Sequence, residues 1–195
     1  MAHRLVRSFI FVILFVASYC ACNAAEFCAD LKIKVGDKLS SGRVFVKGDY
    51  IRMDIKEGGK TFMTMLAQNG CPTIWYYDSD LKLYWSLQRE VPYNLLNCQS
   101  ECASWQGADC GIAKIDGVKC RKIVYPTMGG KETRWYSEKL KVPVKIASER
   151  LGKRFVIQYC NIKQNKQRED IFMIPGGYQN REPDYWTKFK SVFGN

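Results

Sequence analysis

Short runs in which apolar and polar residues alternate, separated by turn signals, dominate this chain. In the clearest run, residues 51–55, Ile51, Met53 and Ile55 fall on one side and polar residues on the other. Residues 142–146 and 155–159 repeat the pattern. This alternation predicts strands that are buried on one face only.

Turn signals containing glycine separate these runs at regular intervals, which predicts an antiparallel meander. The signals are Ser41-Gly42, Lys47-Gly48-Asp49, Gly58-Gly59, Asn69-Gly70, Asp116-Gly117, Gly129-Gly130 and Leu151-Gly152. Pro143 is expected at the start of a strand or on an edge strand, because proline cannot donate to a central ladder.

Two segments depart from the strand pattern. Residues 91–110 are long for a hairpin connection and are expected to form short helices or an ordered loop. In the tail, residues 181–195, aromatic and apolar side chains fall at helical spacing beside lysines. The tail is interpreted as a helix docked on the domain, with a membrane-surface helix as the alternative.

The N-terminus has the pattern of a secretory signal peptide, residues 1–24. Arg4 and Arg7 precede a short apolar core, and small residues follow it. The apolar run is shorter than the roughly 20 residues that a spanning helix needs. We therefore expect a periplasmic or secreted protein, with a domain at 25–180 and the tail at 181–195. Lipidation at Cys22 is the less favoured alternative.

The formal charge is +11, and loss of the two signal arginines leaves +9. A basic surface favours anionic partners, namely the lipid head groups of a membrane surface, envelope polysaccharide or nucleic acid, although lysines that only keep the surface solvated are an equal alternative. Export argues against nucleic acid as a partner.

Cysteine usage predicts up to three disulfides and one free thiol in an oxidising compartment. The spacing leaves the connectivity open, and no Cys-x-x-Cys pair supports a zinc or thioredoxin-type site. The candidates are Cys28, Cys71, Cys98, Cys102, Cys110, Cys120 and Cys160.

The only histidine, His3, lies in the predicted signal. Triads, dyads and metal sites that depend on histidine are therefore not available to the rest of the chain. We expect no catalytic residues, no metal and no cofactor, and hence a binding protein rather than an enzyme.

Large apolar side chains supply the candidate binding surface. Most are expected in the core, but methionine adapts to flexible chains, and some of this set would suit a groove for an apolar ligand. The groove candidates are Met53, Met63, Met65, Trp75, Tyr77, Trp85 and Trp135.

A family resemblance rests on the order of several short motifs between about Asp30 and Gln179. They are SGRVFVKGDYIRMD (41–54), IWYY (74–77), LYW (83–85), DGVKCRK (116–122), TRWYS (133–137), VPVK (142–145), YCNIK (159–163) and FMIPGGY (172–178). In this order they resemble the LolA/LolB-like bacterial envelope proteins, and most of all an uncharacterised exported branch of that superfamily.

The resemblance implies a mostly β (α+β) fold, in which a curved antiparallel half-barrel sheet is covered by short helices or loops. It also implies that the concave face holds a lipid or another apolar ligand, as it does in the carrier members. The alternative is a disulfide-stapled structural or interaction module that binds another envelope protein through the cysteine-rich loop or the tail.

Overall fold

The computed structural model describes residues 25–88, 107–127, 130–150 and 153–186. These residues form one sheet and a single turn of 3-10 helix at Asp170–Phe172. The strands are β1 (Glu26–Val35), β2 (Lys38–Lys47), β3 (Tyr50–Glu57), β4 (Lys60–Gln68), β5 (Thr73–Asp78), β6 (Leu83–Gln88), β7 (Ala108–Ile115), β8 (Val118–Thr127), β9 (Gly130–Ser137), β10 (Val142–Arg150), β11 (Lys153–Lys163) and β12 (Gln179–Asn180).

The sheet is a single open, curved layer with the strand order β12-β6-β5-β4-β3-β2-β1-β11-β10-β9-β8-β7. Strands β1 to β6 form one antiparallel meander and β7 to β11 form another. The meanders join at the centre, where β1 pairs with β11. The other neighbouring strands are antiparallel, whereas β12 runs parallel to β6. The predicted curved antiparallel sheet is therefore confirmed.

The hydrophobic core lies on one face of the sheet, here called the inner face. Alternate residues of β1, β2 and β3 point into it, while the residues between them face outward. The three alternating segments predicted at 51–55, 142–146 and 155–159 all lie in strands that contribute to this core. Its members include Phe27, Leu31, Val44, Val46, Ile51, Met53, Met63, Met65, Trp85, Val142, Val144 and Tyr159.

One predicted turn was wrong. Ser41 and Gly42 lie inside β2, and the chain turns from β1 to β2 at Gly36, whose φ is +57°. Gly42 is required for a different reason: a Cβ atom there would lie 2.0 Å from the backbone oxygen of Asp54 on β3. Glycine at this position permits close contact between strands and does not reverse the chain.

The predicted cover of short helices is not shown. Most of the segment 91–110, where those helices were expected, lies outside the described residues. Its end at Ala108–Cys110 belongs to strand β7 and not to a loop or helix. Pro143 is the second residue of β10, as expected for a strand start, and the register with β9 shifts beside it.

After β11 the chain crosses the outer face of the sheet as an irregular segment, residues 164–180, which contains the 3-10 turn and is here called the strap. The backbone N–H of Gln167 donates to Glu26 Oε1 over 2.6 Å, and Glu169 pairs with Lys47 over 2.9 Å. The ring of Phe172 packs 6.2 Å from the ring of Tyr50. The strap ends as β12 on the edge of β6, and the chain then turns onto the inner face.

Candidate ligand-binding site

Four of the predicted groove residues come together on the inner face. Met53 on β3 lies directly opposite Met65 on β4. Met63, two residues before Met65 on β4, lies opposite Ile55 on β3. Trp85 on β6 is two strands from Met65, with Tyr76 of β5 between them. All four predicted residues are buried, so the inner face carries a continuous surface of methionine and aromatic side chains.

Trp75 and Tyr77 do not belong to this surface, because they lie on the other face of the sheet from the methionines. They alternate with Tyr76 along β5 and therefore point to the outer face. Tyr77 is buried there against Tyr178 of the strap, with ring centroids 5.6 Å apart. This burial is the main cause of the raised pKa of Tyr77.

Trp135 is also distant from the methionines, because it lies on β9 in the second meander. Its ring is partly buried against the core, and the ammonium of Lys145 lies 5.0 Å from the ring centroid. This contact is a cation–π interaction. The seven predicted residues therefore divide into an inner group of four, an outer pair and one separate tryptophan.

Trp186, from the beginning of the tail, occupies the aromatic end of the inner surface. Its ring centroid lies 4.6 Å from that of Tyr76 and 5.1 Å from that of Trp85, and Trp85 also stacks on Tyr76 at 5.9 Å. The rest of the predicted tail helix, after Trp186, lies outside the described residues. Helical spacing did indicate that Trp186 docks on the domain, but it did not indicate which surface receives it.

A partly buried hydrogen bond holds the same segment. The Tyr185 hydroxyl donates to Asp78 Oδ2 over 2.8 Å, and its ring packs against the edge of Trp85. Burial, and then the hydrogen bond and charge of Asp78, raise the pKa of Tyr185. Asp78 Oδ1 accepts from the backbone N–H groups of Asp80 and Leu81, so this carboxylate is fixed in position.

Trp85 contributes a polar atom to this otherwise apolar surface. The side chain is 2% exposed, and its Nε1 has no hydrogen-bond acceptor within the part of the chain that the structure describes. An indole N–H buried in this way favours a partner that brings an acceptor oxygen.

On the outer face, a polar cluster lies beneath the strap. Arg52 donates to both carboxylate oxygens of Asp54, at 2.7 and 3.2 Å, and Nη1 donates to the backbone oxygen of Ile171 in the strap. Thr64 donates to Asp54 over 2.9 Å. The guanidinium of Arg52 also lies over the Tyr77 ring, so it joins the strap to β3, β4 and β5.

An apolar groove of about 360 Å³ opens beside this cluster, between the outer face and strap residues 172–174. Three large side chains are exposed at it: Tyr50 at 48%, Trp75 at 37% and Met173 at 62%. Sequence reasoning missed this groove because it depends on where the strap crosses the sheet.

Five predicted disulfide candidates are free thiols in the structure, so no predicted bridge is present among them. Cys28, Cys120 and Cys160 are buried, Cys71 is intermediate and Cys110 is exposed. Cys98 and Cys102 lie outside the described residues.

Within the described ranges, no group of three or more His, Cys, Asp or Glu side chains is arranged to hold a metal ion. A helix long and apolar enough to cross a membrane was also not found in those ranges.

Comparisons with known proteins show that the fold of this chain is similar to the folds of several solved structures. No protein-family model matches the chain, and no curated protein matches it. Among solved structures, an uncharacterized conserved protein from Thermus thermophilus is 12% identical, with a TM-score of 0.57 over 81% of this chain and 90% of that one. In the Pseudomonas aeruginosa MucA/MucB complex, the matched chain is 10% identical with a TM-score of 0.51, over 81% of this chain and 58% of that chain.

A LolA superfamily protein from Nitrosomonas europaea is 11% identical, with a TM-score of 0.41 over 77% of this chain and 90% of that chain. At such low identities these similarities concern the fold and not the ligand. The solved structures that match this chain thus include a LolA superfamily protein, the superfamily that the sequence motifs resemble.

Proposed function

We propose that the protein is a non-catalytic binding protein of the cell envelope that holds a lipid or another apolar ligand on the inner face of its sheet. The observation that carries this proposal is the continuous buried surface of Met53, Met63, Met65 and Trp85. The signal-like segment 1–24 supports export to the envelope.

The chemistry of the inner surface suits a flexible apolar ligand. Methionine side chains are unbranched and polarisable, so they adapt to acyl chains of different shape. The unpaired Nε1 of Trp85 would donate to an ester or amide oxygen at one end of the ligand. A ligand with one acceptor group and a long apolar part therefore fits better than a fully polar one.

Trp186 lies where such a ligand would bind. Its ring contacts both Tyr76 and Trp85, so it covers the aromatic end of the surface from within the same chain. Binding would require Tyr185 and Trp186 to move away, with loss of the hydrogen bond to Asp78. In this proposal the start of the tail competes with the ligand for one surface.

Native mass spectrometry of the full chain, exported by its own host, tests the proposal directly. Extra mass that is lost on denaturation would identify a bound ligand and its class. A native mass equal to that of the chain alone, together with no binding of cis-parinaric acid, would contradict a lipid-binding role.

A pair of variants would locate the site. Met65→Gln places an amide on the inner surface and should weaken cis-parinaric acid binding several-fold, whereas Met173→Gln changes an exposed methionine on the outer face and should not. Circular dichroism would establish that both variants fold. Equal effects of the two substitutions would argue against binding on the inner face.

A second candidate function is the binding of another envelope protein at the outer groove. The exposed side chains of Tyr50, Trp75 and Met173 favour it, since aromatic and methionine residues are enriched in protein interfaces. The partner would offer an apolar side chain to the groove. Trp75→Ala should then abolish capture of an envelope protein without changing cis-parinaric acid binding; unchanged capture would exclude the groove.

A further inference from the structure

A row of side chains crosses seven strands of the sheet at one level of the register, and four of its members are lysines. Each member lies opposite the next on a neighbouring strand. In order across the sheet the row is Lys56, Ser41, Lys32, Gln158, Lys145, Trp135 and Lys122. We call it the lysine row.

The lysines are regularly spaced because they occupy every second strand. Neighbouring strands are about 4.8 Å apart, so successive lysine positions are about 10 Å apart and the row is about 29 Å long. Lys32 and Lys145 belong to the two halves of the sheet and are brought together only by the pairing of β1 with β11. No sequence run of basic residues reveals this arrangement.

The lysine row is open to a partner. The strap crosses the outer face at the other end of the strands, where it contacts Glu26, Lys47 and Tyr50. None of the four lysines forms an ion pair with another described residue. Four positive charges on one line without carboxylate partners favour an anionic ligand.

A second basic feature adjoins the row. Arg43 follows Ser41 by two residues on β2 and is exposed on the same face. With Lys163 it lines a polar cavity of about 300 Å³, whose wall also contains Asp30 and Asn161. The Asp30 carboxylate accepts a hydrogen bond from the Asn161 side chain, which reduces its repulsion of an anion.

We propose that the lysine row binds a linear acidic polysaccharide that lies across the strands. The polar members Ser41 and Gln158 can form hydrogen bonds with sugar hydroxyls between the charged positions. In a chain whose sugar rings each carry an acidic group, the groups on every second ring can lie beside successive lysines. Such a chain also bends around a curved sheet.

Other polyanions fit this geometry less well. An extended acidic peptide presents side chains on one side about every 7 Å, which does not match the 10 Å intervals. A flat anionic membrane meets only part of a row that follows the curvature of the sheet. Single-stranded nucleic acid uses exposed aromatic platforms, whereas Trp135 is partly buried beneath Lys145.

The test compares the full chain with two double variants of equal charge. Lys32→Gln with Lys122→Gln removes two members of the row, neither of which has a side-chain hydrogen bond or ion pair with another described residue. Lys114→Gln with Lys139→Gln removes two exposed lysines elsewhere. Binding to polygalacturonate, to phosphatidylglycerol vesicles and to oligodeoxythymidylate is measured at low and physiological salt. Thermal unfolding confirms that all the proteins fold.

The expected result is binding to polygalacturonate that weakens with salt, a roughly tenfold weaker affinity for the row variant, and little change for the control variant. Lys32→Arg with Lys122→Arg should retain binding. Equal losses in the row and control variants would overturn the proposal, as would failure to bind polygalacturonate. Preferential binding of vesicles or oligonucleotide through the row would assign it to a different polyanion and also overturn the proposal.

Discussion

The hydroxyl of Tyr185 and the carboxylate of Asp78 form a 2.8 Å hydrogen bond that joins the start of the tail to the end of β5, 107 residues earlier in the chain. This bond holds the segment that places Trp186 on the inner face. It therefore connects tail docking to access to the proposed ligand surface.

Tyr185→Phe should destabilise the protein by about 1–3 kcal/mol, because Asp78 Oδ2 would lose its donor in a buried position. The same substitution should strengthen cis-parinaric acid binding, since Trp186 would be held less firmly. Urea unfolding and a fluorescence titration would measure the two effects. Tyr50→Phe is the control, with an expected change near zero, because Tyr50 is half exposed. Unchanged stability of Tyr185→Phe would contradict a role for this bond.

Stability should fall at alkaline pH because of Tyr159. Burial raises the pKa of this phenol above its ordinary value of 10.0. The unfolded chain can ionise at the ordinary pKa while the folded chain cannot, so full stability is present below pH 10 and is lost as the pH rises above it.

The expected contribution of Tyr159 is a loss of about 1.4 kcal/mol per pH unit above 10 until the folded pKa is reached. Urea unfolding at several alkaline pH values would measure it. In Tyr159→Phe the decline between pH 10 and 12 should be shallower than in the parent protein. Identical slopes in the two proteins would show that other groups control the alkaline transition.

Replacement of Arg52 should loosen the strap. Its side chain is one-fifth exposed and joins Asp54 to the backbone of Ile171, so Arg52→Ala should cost about 2–3 kcal/mol. Hydrogen exchange should become faster in residues 165–178 before it does in β3. Arg168→Ala removes an exposed pair with Asp170 in the same strap and should change stability little, because solvent screens that pair. Similar losses in both variants would mean that Arg52 has no special role.

Two glycine substitutions test the close contact between β2 and β3. Gly42→Ala would place a methyl group 2.0 Å from the Asp54 carbonyl oxygen and should destabilise the protein by about 2–3 kcal/mol or more. Gly176→Ala has nothing within 4 Å of the added carbon and should be close to neutral. Thermal unfolding of the two variants provides the comparison. A neutral Gly42→Ala would show that the strands can separate without cost.

Alternation along the chain was sufficient to predict individual strands and the curved antiparallel sheet, because each strand buries one face locally. The seven groove candidates were chosen for their large apolar side chains, and four of them, Met53, Met63, Met65 and Trp85, lie on one face. Trp75 and Tyr77 were grouped with them, although both lie on the outer face, where Tyr178 of the strap buries Tyr77 and Trp75 stays partly exposed. Composition alone does not distinguish burial in the core from burial beneath the strap.

The features that sequence reasoning missed depend on pairing between distant residues. Arg52 meets Ile171, Tyr185 meets Asp78, and Lys32 lies on one row with Lys145. Each relationship follows from the placement of β11 beside β1 and the return of the strap across the sheet. Gly42 is an example from two neighbouring strands. A glycine among strand-forming residues fits either a turn or a close contact between strands, and only the pairing of β2 with β3 distinguishes the two.

The pairing of β1 with β11 has a consequence for how the molecule folds. Asp30 lies opposite Cys160, so the central ladder joins residues separated by 130 positions in the chain. Each meander can form from neighbouring hairpins, but the seam between them closes only after nearly all of the chain is present. Such long-range pairing slows folding. A chain of this topology stays incomplete until synthesis or translocation has delivered β11, and until then the unpaired side of β1 is an exposed strand edge that can aggregate.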